Sequence, residues 1–353
     1  MNFSANLNKI TCEIDYQYGL KQFDILLHME NLDRRVGANN SLLHPFEEPL
    51  DVALSEAFNA DSAEPNLFLQ RILYRINRLK LFWYDDLENY ANETSPYLAS
   101  VRSRIENAWQ GWETGHFDMK HLQSLPVKDA LRQRAADDLS LAPSETSQYF
   151  REEMTEAGYR QLLQIASLDG LVEASQLSRV LGGVGNEVQS VLTRIFLEEY
   201  GGGKLARKHT SFFSAMLEEL GMDSQPEAYF DIVPWEVIAN VNHSFVLCER
   251  KRNFLRYVGG LLYTEISAPA AFNNYLQAGM RLGLSETSTG YWALHIKEDE
   301  RHGEWMLDDV AFPLVDKYGD SAWEIIWGYD QQKLISSRAS HSVAQSLRAK
   351  DNA

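Results

Sequence analysis

Along most of the chain, apolar positions recur every three or four residues rather than every second one. Leu67, Leu69, Ile72, Leu73, Ile76, Leu79 and Leu81 trace one stripe on a helix, and Val101 to Trp112 repeats the spacing. Alternating runs closed by Asn-Gly or Asp-Gly are scarce; Asp169-Gly170 stands alone and precedes more helical spacing. The pattern predicts an all-α fold. Residues 1–60 are mixed, and His44-Pro45 and Glu48-Pro49 suggest an irregular, partly extended arm. Amphipathic helices are expected over 61–137, so residues 1–140 read as an N-terminal arm with accessory helices. The polar stretch from Leu139 to Ser147 is the expected linker, and its serines offer N-caps for the following helix. A second helical block is expected over 148–335, followed by a polar, frayed tail, 336–353.

Composition narrows the class of partner. The 353 residues carry 33 Lys+Arg against 50 Asp+Glu, a net charge of −17. Affinity for nucleic acid comes largely from basic side chains neutralising phosphates, so nucleic acid and anionic membrane surfaces are not expected partners. Cys12 and Cys248 are too few for a disulfide scaffold, a structural zinc site or a thiolate cluster, and both read as reduced thiols. No basic region followed by an apolar run opens the chain, and the apolar stretch at Val258–Ile266 is too short to span a bilayer. A cytoplasmic protein is expected.

The sharpest local signal is His295-Ile-Lys-Glu-Asp299-Glu-Arg-His302. Positions i, i+4 and i+7 share one helix face, so His295, Asp299 and His302 point together, while Lys297, Glu298, Glu300, Arg301 and Glu304 fall on other faces as solvated charge. Two imidazoles and a carboxylate suit a borderline divalent metal such as iron. A charged surface helix with two histidines is the plainer alternative. A second cluster is Glu199-Tyr-Gly-Gly-Gly203 with His209 beyond it. Unbroken helix would turn Glu199 and His209 apart; three glycines let the chain bend and bring them to one point, although Gly201 also reads as an ordinary C-cap. Glu173 and Glu265 lie among apolar residues, where an unpaired carboxylate is costly. An arginine partner or a metal removes that cost. Glu173, Glu199, Glu265 and Asp299 together carry four negative charges, enough to balance two iron(II) ions.

On these residues the segment of roughly 150–335 resembles the haem-oxygenase-like diiron oxidases, the iron-containing redox enzyme family. The resemblance implies a seven-helix bundle, here with an additional N-terminal helical region, holding two non-haem irons. Their ligands would be Glu173, Glu199, His209, Glu265, His295, Asp299 and His302, with Glu199 as the bridging ligand. It further implies dioxygen as co-substrate and an external electron donor, with a reductase as a possible partner. Members of the family that oxygenate amine nitrogens use an extra glutamate at the place Glu265 occupies. The resemblance therefore points to N-oxygenation of an amine or amino acid, free or carrier-tethered, in natural-product biosynthesis. Desaturation, decarboxylation or C–C cleavage of an aliphatic or amino acid is the same-fold alternative, and a helical scaffold is the non-enzyme one. No cupin-type domain is expected after the helical core, and a homodimer is possible. Tyr263, Tyr291, Trp292 and Phe213 are candidate pocket walls, and Arg256 and Arg281 candidate grips for a substrate carboxylate.

Overall fold

The computed structural model describes residues 14–58, 62–82, 86–183 and 186–351, and among these there is no β-strand. The longer helices are α1 (Tyr16–Leu27), α2 (His44–Glu56), α3 (Ala63–Asn77), α4 (Pro96–Thr114), α5 (Val127–Leu139), α6 (Glu156–Gly170), α7 (Glu187–Glu199), α8 (His209–Glu219), α9 (Trp235–Cys248), α10 (Phe254–Arg281), α11 (Gly290–Trp305) and α12 (Trp323–Asp351). None is long and apolar enough to cross a membrane. The chain divides into two compact units. The first comprises residues 1–76 and 86–109, the second 77–85 and 110–353.

Over residues 14–58 the first unit is largely helical, where an irregular, partly extended arm is expected. Pro45 lies in the first turn of α2, where its missing N–H has no intrahelical partner to lose, so it starts the helix instead of breaking it. Phe23, Phe46 and Phe68 are fully buried and meet with ring centroids 5.1 and 6.3 Å apart, joining α1, α2 and α3. The boundary between the units falls at residue 109 in α4, ahead of the stretch from Leu139 to Ser147 that was read as a linker. Within that stretch Ser144 does act as an N-cap, its hydroxyl accepting from the Ser147 amide at 3.1 Å.

In the second unit α10 packs along α12 and α11, with α9 against α12. Contact between α10 and α12 is backbone to backbone: a Cβ on Gly259 would lie 2.0 Å from the Ile325 carbonyl oxygen, and one on Gly328 2.0 Å from that of Arg256. Thr155 caps α6 through the Gly158 amide, and Asn186 caps α7 through the Gln189 amide. The tail is not frayed. Through 336–351 it continues α12, because Ala339, Val343, Ala344 and Leu347 form a buried stripe of small and medium apolar residues. Asp351 then ties the helix end down, accepting from the Tyr149 hydroxyl at 2.8 Å. Cys248 is buried; Cys12 lies outside the described residues.

Candidate metal centre

Helix α11 carries His295, Asp299 and His302 at i, i+4 and i+7, and all three side chains are buried. The His295 Nδ1–H donates to the Tyr291 carbonyl one turn earlier, at 2.9 Å, which leaves Nε2 facing inward. Lys297, Glu300, Arg301 and Glu304 are exposed, as their positions predict. Glu298 differs. It is half-buried, with Oε2 3.6 Å from His209 Nε2.

Glu199 is the last residue of α7 and His209 the first of α8. The loop between them reverses direction through Gly201, Gly202 and Gly203, with φ of +61°, +61° and +79°. Those angles suit glycine, and a Cβ on Gly201 would lie 2.4 Å from the Arg207 carbonyl carbon. The reversal places His209 Nδ1 2.8 Å from Glu199 Oε2 and 3.0 Å from His295 Nε2.

Glu173 does not lie on a helix, as its apolar neighbours suggested. Helix α6 ends at Gly170, and Glu173 occupies the turn behind it, next to Ala174 at φ +60°. A left-handed alanine costs about 1–2 kcal/mol, strain of a kind that gathers at functional sites. The turn sets Glu173 Oε1 3.1 Å from His295 Nε2, and the nearby Tyr291 hydroxyl favours the charged form of this carboxylate. Glu265 sits on α10 four residues before Pro269, which has no N–H to give its carbonyl. Its Oε2 lies 3.3 Å from His302 Nδ1.

The side chains form two groups that share Glu199. Glu173, Glu199, His209 and His295 offer donor atoms within 4.8 Å of one another, as do Glu199, Asp299 and His302. Glu199 turns Oε2 to the first group and Oε1 to the second, 3.6 Å from His302 Nδ1. All seven residues singled out from the sequence are thus brought together.

Burial and mutual repulsion govern their protonation. Asp299 is raised to about 9, first by burial and then by the charge of Glu265. Burial also raises Glu199. Burial works against charge on His302, but hydrogen bonding and charge from Glu265 and charge from Glu199 outweigh it and lift it to about 9. His295 rises likewise, beside Glu173. The apoprotein thus stores protons among its acids and imidazoles. Glu173 Oε2 and Asp299 Oδ1 are buried with no hydrogen-bond partner. Buried polar atoms are normally satisfied, and a carboxylate–imidazole set with inward lone pairs is what a divalent metal takes.

Aromatic rings wall the first group. Tyr291 lies with its centroid 4.2 Å from that of His295, and Phe213 and Phe272 pack on Tyr291. Trp292 is buried behind them, its indole N–H donating to the Tyr159 hydroxyl at 2.9 Å. Tyr263 packs instead on Tyr329. The two arginines considered as carboxylate grips are engaged elsewhere. Arg256 stacks on Trp327 and donates to Gln110, and Arg281 donates to the carbonyls of Arg151 and Met154. The sequence reading missed Phe272 and Glu198. Glu198 carried a signal: two acids close the last turn of α7, where the helix dipole disfavours negative charge.

Residues 160–331 match the family described as iron-containing redox enzyme. A nitrosourea synthase from Streptomyces achromogenes subsp. streptozoticus is 31% identical over 176 residues. The match covers 49% of this chain and 37% of that protein, so the chain corresponds to well under half of its relative.

Proposed function

Since residues 160–331 match the iron-containing redox enzyme family, we propose that this protein is a dioxygen-using oxidoreductase built on two non-haem irons, and that it oxygenates the nitrogen of an amine or amino acid. The observation that carries the reading is Glu199, whose two oxygens face two separate sets of donors. Glu173, His209 and His295 would complete one metal position and Glu265, Asp299 and His302 the other. Two iron ions held there would supply the means of reducing dioxygen and transferring oxygen to substrate.

The chain's own residues have narrower tasks. Four carboxylates offset the charge of the ions, and with three imidazoles they leave room for exogenous ligands. The Tyr291 side chain favours the charged form of Glu173, and its carbonyl fixes the ring of His295. Phe213, Phe272 and Tyr291 keep water from the first group. For a primary amine the balance is one dioxygen, two electrons and two protons in, and one hydroxylamine and one water out. The electrons come from an external donor.

Nitrogen as the target is supported by the relative, since a nitrosourea contains an oxidised nitrogen, and by Glu265 beside His302. The test is anaerobic loading with iron(II), exposure to ¹⁸O₂ with a reductant and candidate amines, and mass spectrometry of the products. The reading expects one labelled oxygen on nitrogen, lost in Glu265→Ala with the fold retained. Oxygen-labelled carbon products, or unlabelled alkenes and carbon dioxide, formed equally by Glu265→Ala, would favour the oxidative cleavage alternative.

A further inference from the structure

His302 is fully buried, and its two ring nitrogens face different surroundings. Nδ1 faces Glu265 Oε2 at 3.3 Å, Glu199 Oε1 at 3.6 Å and Asp299 Oδ1 at 3.8 Å. Nε2 lies 2.8 Å from Glu198 Oε2, on the side away from the cluster. The same oxygen of Glu198 accepts from Arg301 Nη2 at 2.7 Å, and Arg301 also reaches Glu298 at 3.9 Å. We propose that Glu198, clamped by Arg301, is a positioning residue that fixes the tautomer and orientation of His302, so that Nδ1 is the nitrogen offered to metal.

A carboxylate only accepts hydrogen bonds, so Nε2 carries a proton toward Glu198, and when a metal displaces the proton on the cluster side this N–H is the one retained. A neutral imidazole has one N–H; placing it on Nε2 leaves the lone pair on Nδ1, aimed at Glu199, Glu265 and Asp299. Histidines that bind metals commonly give their other N–H to a carboxylate in this way, and losing that partner typically weakens metal binding 10–100-fold. Glu198, Glu298 and His302 also lie close enough together to suggest a further metal position. Arg301 argues against that reading, because its guanidinium already supplies the cation there. Glu198 is 29% exposed and Arg301 43% exposed, so the pair stands on the solvent side of a ligand that is itself fully enclosed.

The inference rests on the diiron reading, and its test separates the two. Metal-free full-length protein is titrated anaerobically with manganese(II), and the zinc(II)-loaded protein with ¹⁵N-labelled histidine is examined by NMR. Wild type should bind two ions and show His302 with its proton on Nε2. Glu198→Ala should keep one ion at wild-type affinity, bind the second 10–100-fold more weakly, and lose the single tautomer. Glu198→Gln, whose amide oxygen still accepts from Nε2–H, should fall between. Two ions bound to Glu198→Ala at wild-type affinity, with the His302 signals unchanged, would overturn the positioning role alone. Wild type binding no metal would overturn both readings.

Discussion

His209 Nδ1 lies 2.8 Å from Glu199 Oε2, although one closes a helix and the other opens the next. The closeness depends on a reversal that only glycine makes without strain. Gly201 and Gly202 share φ +61°, yet a Cβ at Gly201 runs into Arg207 while one at Gly202 meets open space. Gly201→Ala should therefore combine left-handed strain with a backbone clash, about 3 kcal/mol in all, and Gly202→Ala only about 1 kcal/mol. Gly201→Ala should also lose metal stoichiometry. Thermal unfolding and metal titration of the two variants check this, and equal losses would show that the tight approach to Arg207 is unimportant.

Metal affinity should rise with pH. Near pH 7 Asp299 holds a proton and His302 is cationic, each having been lifted to about 9. A metal must displace both protons, so affinity should increase by about tenfold per pH unit for each proton released, up to about pH 9. Stability of the apoprotein should move the other way. Unfolded, these groups titrate near 3.9 and 6.5, so between those values and about 9 the folded state holds protons that the unfolded state has released, and stability falls as pH rises. The melting-temperature gain on adding manganese(II) should thus widen from pH 6 to 9. A gain that is flat or shrinks would contradict the buried-proton account.

Much of this site could be read from spacing. The i, i+4, i+7 run from His295 to His302 needs only an α-helix to bring three side chains to one face, and the three glycines between Glu199 and His209 announce a bend. Glu265 stood out as an acid in an apolar helix. What sequence could not convey was the turn at Glu173. Its apolar neighbours read as helix, and the left-handed Ala174 has no signature in residue type. Prolines misled at α2, where Pro45 falls in the first turn and Pro49 is accommodated inside the helix. Polar composition misled at the C-terminus, where Ala339, Val343, Ala344 and Leu347 bury one face of a helix that is otherwise hydrophilic. Glu198 was overshadowed by its neighbour Glu199, since both read as one acidic helix end.

Asp299→Asn should trade metal for apoprotein stability. Asparagine cannot ionise, so it escapes the penalty that grows as the unfolded aspartate loses its proton. Relative to wild type, the metal-free variant should gain at most about 1.4 kcal/mol per pH unit from about pH 5 to 9, then level off. It should bind one ion where wild type binds two. Denaturant unfolding across that pH range, with metal analysis alongside, measures both quantities. A variant whose relative stability is independent of pH would show that Asp299 titrates normally.

Glu265 reaches His302 only because α10 is held where it is, and that placement depends on α12. Gly328 meets the Arg256 carbonyl so closely that an added Cβ would sit 2.0 Å from its oxygen, and backbone cannot swing aside as a side chain can. Gly260, on the same face of α10, has its nearest neighbour at 3.5 Å. Gly328→Ala should therefore force the helices apart and cost about 3 kcal/mol or more, whereas Gly260→Ala should be nearly neutral or slightly stabilising through better helix propensity. Because separation of the helices carries Glu265 away from His302, Gly328→Ala should also weaken the second metal more than the first, which is held by the α6 turn, α7, α8 and α11. Manganese(II) titration of folded Gly328→Ala at low temperature reads that asymmetry directly; equal weakening of both ions would mean that α10 does not set the second position.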